Sequence, residues 1–120
     1  MRRRWADKEK SSSYSNLDKY DDCAYNIFMK FEWDENKRVI NLEKHHLDFR
    51  DAHLVFTDDA FVVEDPHDDY AETRYILQGL LHQQVVIISF TIEDDEIIRI
   101  ISMRKATKRE QTSYVKKRFG

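Results

Sequence analysis

The chain has 120 residues, 41% hydrophobic and 36% charged, with a formal net charge of −3, which fits one compact domain with a densely ionic surface. Two glycines, one proline and no apolar run approaching about 18 residues exclude collagen-like, linker-like and helical membrane-spanning readings. The opening Met1-Arg2-Arg3-Arg4-Trp5 is basic with no apolar stretch behind it, so it does not read as a secretory signal, and the single cysteine, Cys23, reads as a free thiol in a reducing cytoplasm.

Residues 1–28 are polar and low in complexity around Ser11-Ser12-Ser13, with no helix or strand period. They read as a disordered extension, and a translation start placed too early would look the same. Residues 29–120 read as a single domain. Phe31-Glu32-Trp33 alternates like a short strand. Asp34 is placed to cap a helix over Glu35–His46, whose apolar part is Val39, Ile40 and Leu42. Asp48 opens a second short helix, with Phe49, Ala52, Val55 and Phe56 at helical spacing. Four strand-like runs follow: Ala60–Glu64, Thr73–Leu77, Val85–Thr91 and Ile97–Met103. Gly79 reads as a turn or bulge, and Val85–Thr91 as a central strand buried on both faces. Thr107 and Glu110 form a capping box that starts a basic C-terminal helix containing Tyr114. The expected fold is α+β: two N-terminal helices, a four-stranded mainly antiparallel sheet and a C-terminal helix.

Charge is unevenly distributed. Residues 48–96 hold thirteen acids against Arg50 and Arg74, a sum of −11, whereas residues 97–120 hold eight bases against Glu110, a sum of +7. This suggests two partners, or a partner and a substrate, with a merely solvated surface as the alternative. The five histidines lack metal-ligand spacing: His45 and His46 point about 100° apart on a helix, and Asp65, Asp68 and Asp69 read as a solvated loop. No phosphate loop, nucleophile elbow or Cys/His pair is present, so neither metal nor cofactor is expected.

Arg99 interrupts Ile97-Ile98 and Ile100-Ile101, and such a guanidinium needs a partner. By strand parity it shares a face with Ile97, Ile101 and Met103, with Arg104 on the opposite face. Arg74 lies within another strand run. These arginines suit bidentate phosphate contact; structural salt bridges from Arg74 and Arg99 to Glu64 or Glu72 are the alternative. Lys44 and His45 end the first helix, where cations suit the helix dipole and a histidine can also move a proton. Trp33 can stack on an RNA base or pack in the core. Lys105 and Lys108 are candidate substrate contacts.

Phe31-Glu32-Trp33-Asp34, Asn36-Lys37, Asn41, Lys44-His45, Phe49, Ala52 and Val55-Phe56 together resemble the opening of BrnT-type toxins. Glu72-Thr73-Arg74 with Gly79 resembles their middle. Arg99-Ile100-Ile101-Ser102 with Arg104, Ala106-Thr107, Glu110 and Tyr114 resembles their closing motif. His46-Leu47 stands where the pattern has Gly-Val, Met103 where a small residue is usual, and Glu93–Glu96 is unusually acidic. The resemblance implies a RelE-like fold and a type II ribonuclease toxin. It also implies a cognate antitoxin with a ribbon-helix-helix end, operator DNA being contacted only through that antitoxin. On this reading Arg74, Arg99 and Arg104 position phosphate and stabilise transition-state charge, His45 and Lys44 transfer protons, and Glu64 is a reserve general base. A non-catalytic nucleic-acid or protein binding module acting in transcriptional regulation is the alternative.

Overall fold

The computed structural model describes residues 29–66 and 72–120. The expectations for residues 1–28, Cys23 included, and for His67, Asp68 and Asp69 lie outside the described residues. Five strands form one sheet: β1 (Lys30–Trp33), β2 (Phe61–Glu64), β3 (Tyr75–Leu81), β4 (Gln84–Glu93) and β5 (Ile97–Lys105). Their order is β1-β5-β4-β3-β2, with β1 parallel to β5 and the other neighbours antiparallel. The expected four-stranded sheet therefore gains a fifth strand, because Phe31-Glu32-Trp33 joins the edge of β5.

Helix α1 (Glu35–His45) starts where the sequence indicates: the Asp34 carboxylate accepts from the N–H groups of Asn36 and Lys37. The second expected helix is a 3-10 helix, Phe49–Val55, capped by Asp48 through Arg50 N–H. Phe49, Ala52, Val55 and Phe56 pack with Leu77, Ile88, Phe90, Ile98, Ile100 and Met103 to form the core on one face of the sheet. Gly79 lies within β3 and makes no turn. An added Cβ there would sit 2.6 Å from Val55 Cγ1, so the glycine permits close approach of the 3-10 helix. The chain turns instead at His82-Gln83, both with positive φ, in a two-residue hairpin.

Helix α1 does not bury Val39 and Ile40, which are 42% and 61% exposed; it buries Asn41. Asn41 Oδ1 accepts from Met103 N–H, where β5 has run past the end of β1, and its Nδ2 donates to Leu47 O. An amide thereby satisfies a backbone donor that the missing strand partner would leave open.

His46 closes α1 in the left-handed region, at φ 61°. A side chain with a Cβ is disfavoured there and glycine is not. His46→Gly is expected to stabilise the fold by about 0.5–1 kcal/mol, raising Tm by a few degrees. A thermal melt checks this, and an unchanged or lower Tm contradicts it.

Helix α2 (Lys108–Phe119) has the full capping box: Thr107 Oγ1 accepts from Glu110 N–H and the Glu110 carboxylate accepts from Thr107 N–H. It lies on the sheet face opposite the core. Phe61, Gln78, Ile87 and Arg104 form one cross-strand row. Tyr114 packs edge-on against Phe61 at 5.5 Å and donates its hydroxyl to Asp59 O. Central β4 is buried on both faces, with Ile88 in the core cluster and Ile87 buried on the opposite face.

Candidate active site

A single irregularity in β5 builds the site. Ser89 pairs with Ser102 but Phe90 pairs with Ile100, so Ile101 is an extra residue that forms a bulge. It reverses the in–out alternation. Met103, expected beside Arg99, turns into the core at 0% exposure. Arg104, expected on the face opposite Arg99, comes to the same face, since their partners Thr91 and Ile87 are four residues apart on β4.

Arg74 joins them. It precedes Tyr75, which pairs with Phe90, so it continues the row Thr91, Arg99 and Glu32 across the sheet. Arg74, just ahead of β3, and Arg99, on β5, thus stand on the two sides of β4. Between this row and α2 lies the row Ile76, Ser89 and Ser102, all partly exposed. The surface is thus a half-open platform, with Arg74 and Arg99 on one side and Arg104 on the other.

Carboxylates hold the Arg99 and Arg104 guanidiniums. Arg99 Nη1 donates to Glu32 Oε2 at 2.9 Å, with both side chains about two-fifths exposed. Arg104 makes a fork with Glu110, at 2.8 and 2.9 Å. Arg99 is drawn towards β1 and Arg104 towards α2, so they do not converge on one point in this structure. The expected partners also differ, because Arg99 pairs with Glu32 and not with Glu64 or Glu72.

The other candidates divide by location. Trp33 lies on the core face beside Ile100, packs against the core and donates its indole N–H to Glu35. It lies on the face opposite the arginine platform. Glu64, paired with Tyr75, is likewise on the core side of edge strand β2, exposed and away from the platform. Lys44 is exposed and His45 half-buried, in the last turn of α1. That turn follows Asn41, which binds Met103, so it runs alongside the Arg104 end of β5. Lys105 and Lys108 are exposed on either side of the α2 cap. Among the described residues, no three His, Cys, Asp or Glu side chains gather as a metal-binding group, and no helix is long and apolar enough to cross a membrane.

The family model "Ribonuclease toxin, BrnT, of type II toxin-antitoxin system" matches residues 33–110. This chain belongs to the BrnT family. The crystal structure of the Brucella abortus ribonuclease toxin BrnT is similar to it, with 34% identity, a TM-score of 0.57, and coverage of 67% of this chain and 99% of that chain. No curated protein matches the chain. The BrnT match takes in Arg74, Arg99 and Arg104 and ends at Glu110.

Sequence reasoning missed Glu32 as the partner of Arg99. The only available signal was a carboxylate inside the Phe31-Glu32-Trp33 alternation. Glu110 was expected as a cap, and it also grips Arg104. The Arg104 guanidinium, aided by Thr107 N–H, holds the Glu110 carboxyl down to about 2. An unfolded glutamate titrates near 4.3. Because the folded value is lower, the pair's contribution is complete above about pH 4.3 and is lost as pH falls through about 2. Glu110→Gln is therefore expected to flatten the loss of stability across that window. Asp48, also held near 2 chiefly by Arg50, keeps part of the slope. Urea midpoints at several acidic pH values measure it, and an unaltered slope contradicts it.

Proposed function

We propose that this chain is a metal-independent endoribonuclease that arrests growth in the cytoplasm and is neutralised by a cognate ribbon-helix-helix antitoxin. The observation that carries this reading is the shared face of Arg74, Arg99 and Arg104 on the sheet of a BrnT-family fold. In the reaction the RNA 2′-hydroxyl attacks the adjacent phosphorus and the 5′-oxygen leaves, so one proton is taken and another given. Arg74 and Arg99, on either side of Thr91, hold the scissile phosphate and stabilise its added charge. Arg104 holds a neighbouring part of the backbone, and Lys105 and Lys108 hold the strand beside α2. His45 and Lys44 serve proton transfer from the end of α1. To bind RNA, Arg99 exchanges Glu32 for phosphate, a trade between two half-exposed charge-assisted contacts.

The antitoxin covers apolar surface that this domain leaves open, including Val39 and Ile40 of α1 and Leu54 of the 3-10 helix. The acidic segment 48–96 adds electrostatic attraction, which salt weakens. Operator DNA is contacted through the antitoxin. The carboxylate-held arginines favour one second reading, a binding module without catalysis.

Incubating purified protein with RNA in EDTA decides between them. Cleavage supports the nuclease, and tight RNA binding without cleavage supports the module. Growth arrest on induction, relieved by co-expression of the neighbouring ribbon-helix-helix gene, tests the toxin–antitoxin assignment.

A further inference from the structure

The platform carries two carboxylates and a buried hydroxyl that the steps above leave unused. Glu93 closes β4 opposite Ile97, so it points to the same face as Thr91 and Arg99. Glu32 reaches that face from β1, directly opposite Arg99. Glu93 and Glu32 thus stand on one face of the sheet, on either side of β5. Thr91, two residues before Glu93 and opposite Arg99, is 2% exposed, and its Oγ1 is buried without a hydrogen-bond partner. A buried hydroxyl left unpaired is unfavourable, and here it sits in the middle of the Arg74–Thr91–Arg99 row. The row thus offers an unused donor where a phosphate or ribose oxygen would lie.

We propose that Glu93 is the general base of the ribonuclease reaction, a catalytic residue beside Arg99, with Glu32 as its positioning residue; this rests on the ribonuclease reading. The Glu93 carboxylate takes the proton of the 2′-hydroxyl as that oxygen bonds to phosphorus. The bond from phosphorus to the 5′-oxygen breaks, and that oxygen leaves with the proton that His45 and Lys44 deliver from the end of α1. Glu93 then returns its proton to solvent. The products are a 2′,3′-cyclic phosphate and a 5′-hydroxyl, with no change of oxidation state.

Division of labour follows from the surroundings. In the RNA-free domain Glu32 accepts from Arg99 at 2.9 Å, which fixes its carboxylate between Arg99 and the β1 edge, where it can orient its neighbours. Partial burial, and after it the neighbouring Glu32 charge, push the Glu93 carboxyl up. A base nearer the working pH is the more effective one. Among the described residues, the charged groups facing Glu93 are Glu32 and Lys30 from β1, Arg99 from β5 and Glu72 ahead of β3.

The test is single-turnover cleavage of an RNA oligonucleotide across pH by the full chain, alongside RNA binding and a thermal melt of each variant. Glu93→Gln is expected to lower the cleavage rate about 100-fold. Its RNA affinity should hold within about twofold, and it should lack the acidic limb on which the wild-type rate rises with pH. Glu32→Gln removes a neighbouring negative charge, so the acidic limb should move to lower pH. A Glu93→Gln variant that cleaves at the wild-type rate with the wild-type limb overturns this proposal alone. A wild type that cleaves no RNA overturns it together with the ribonuclease reading. A limb that stays in place in Glu32→Gln removes Glu32 from the proposal.

Discussion

Arg99→Ala is expected to reduce RNA cleavage in EDTA by about 10²- to 10³-fold while leaving the fold intact, the scale seen when one donor to a developing charge is removed. Its Cα is paired with Thr91 across β4 and β5, and its side chain stands about two-fifths exposed against an equally exposed Glu32. An ion pair in contact with water contributes at most about 1 kcal/mol to stability. The same group facing a phosphorane contributes far more, since there the charge appears only in the transition state. Activity and stability should therefore separate. Arg99→Lys keeps the charge but loses the planar fork, so it should recover only part of the rate. Arg104→Ala is expected to lose activity as well, with a larger drop in Tm because its fork holds the first turn of α2. Cleavage by Arg99→Ala within threefold of wild type would remove the arginine from the chemistry.

The largest expected effect on stability is that of Phe56→Ala. Phe56 is 1% exposed and meets Phe31 edge-on at 5.2 Å and Phe90 at 5.1 Å. It thus joins the first strand, the end of the 3-10 helix and the central strand into one aromatic chain. Truncating a buried phenylalanine costs about 3–5 kcal/mol, partly as lost transfer energy and partly as the cavity left behind. A domain of this size has only about 5–15 kcal/mol in total. The variant should therefore sit near the edge of folding at 37 °C, with a strongly lowered urea midpoint. A shift below about 1 kcal/mol would mean that the neighbouring rings collapse into the space.

What the sequence disclosed was local. Asp34, Asp48 and the Thr107–Glu110 box act within three residues, and each cap stands where its side chain predicts. The continuous apolar run around Ile87 and Ile88 marked the central strand because both faces of β4 are covered. Three things were hidden for physical reasons. The parallel pairing of β1 with β5 leaves no mark in four residues. The bulge at Ile101 overrides parity, and the isoleucine run that leads into it disguises it. The His82-Gln83 turn uses positive φ without glycine or asparagine, so its residue types do not mark it, whereas Gly79 reads as a turn but serves contact with Val55. The arginines were legible as candidates, but their shared face required the bulge. The ordered motifs pointed to the family, which residue chemistry alone did not.

The bond between Glu32 and Arg99 joins positions 67 residues apart. Closing so long a loop is entropically slow, and pairings of this kind form late. During synthesis the hairpins of β3, β4 and β5 can assemble as they emerge, whereas β1 must wait for β5 to leave the ribosome. The edge that supports Arg99 is thus completed only once β5 has been made. A nascent chain that has not yet released β5 lacks this edge, so the support of Arg99 is absent until β1 and β5 are both free to pair.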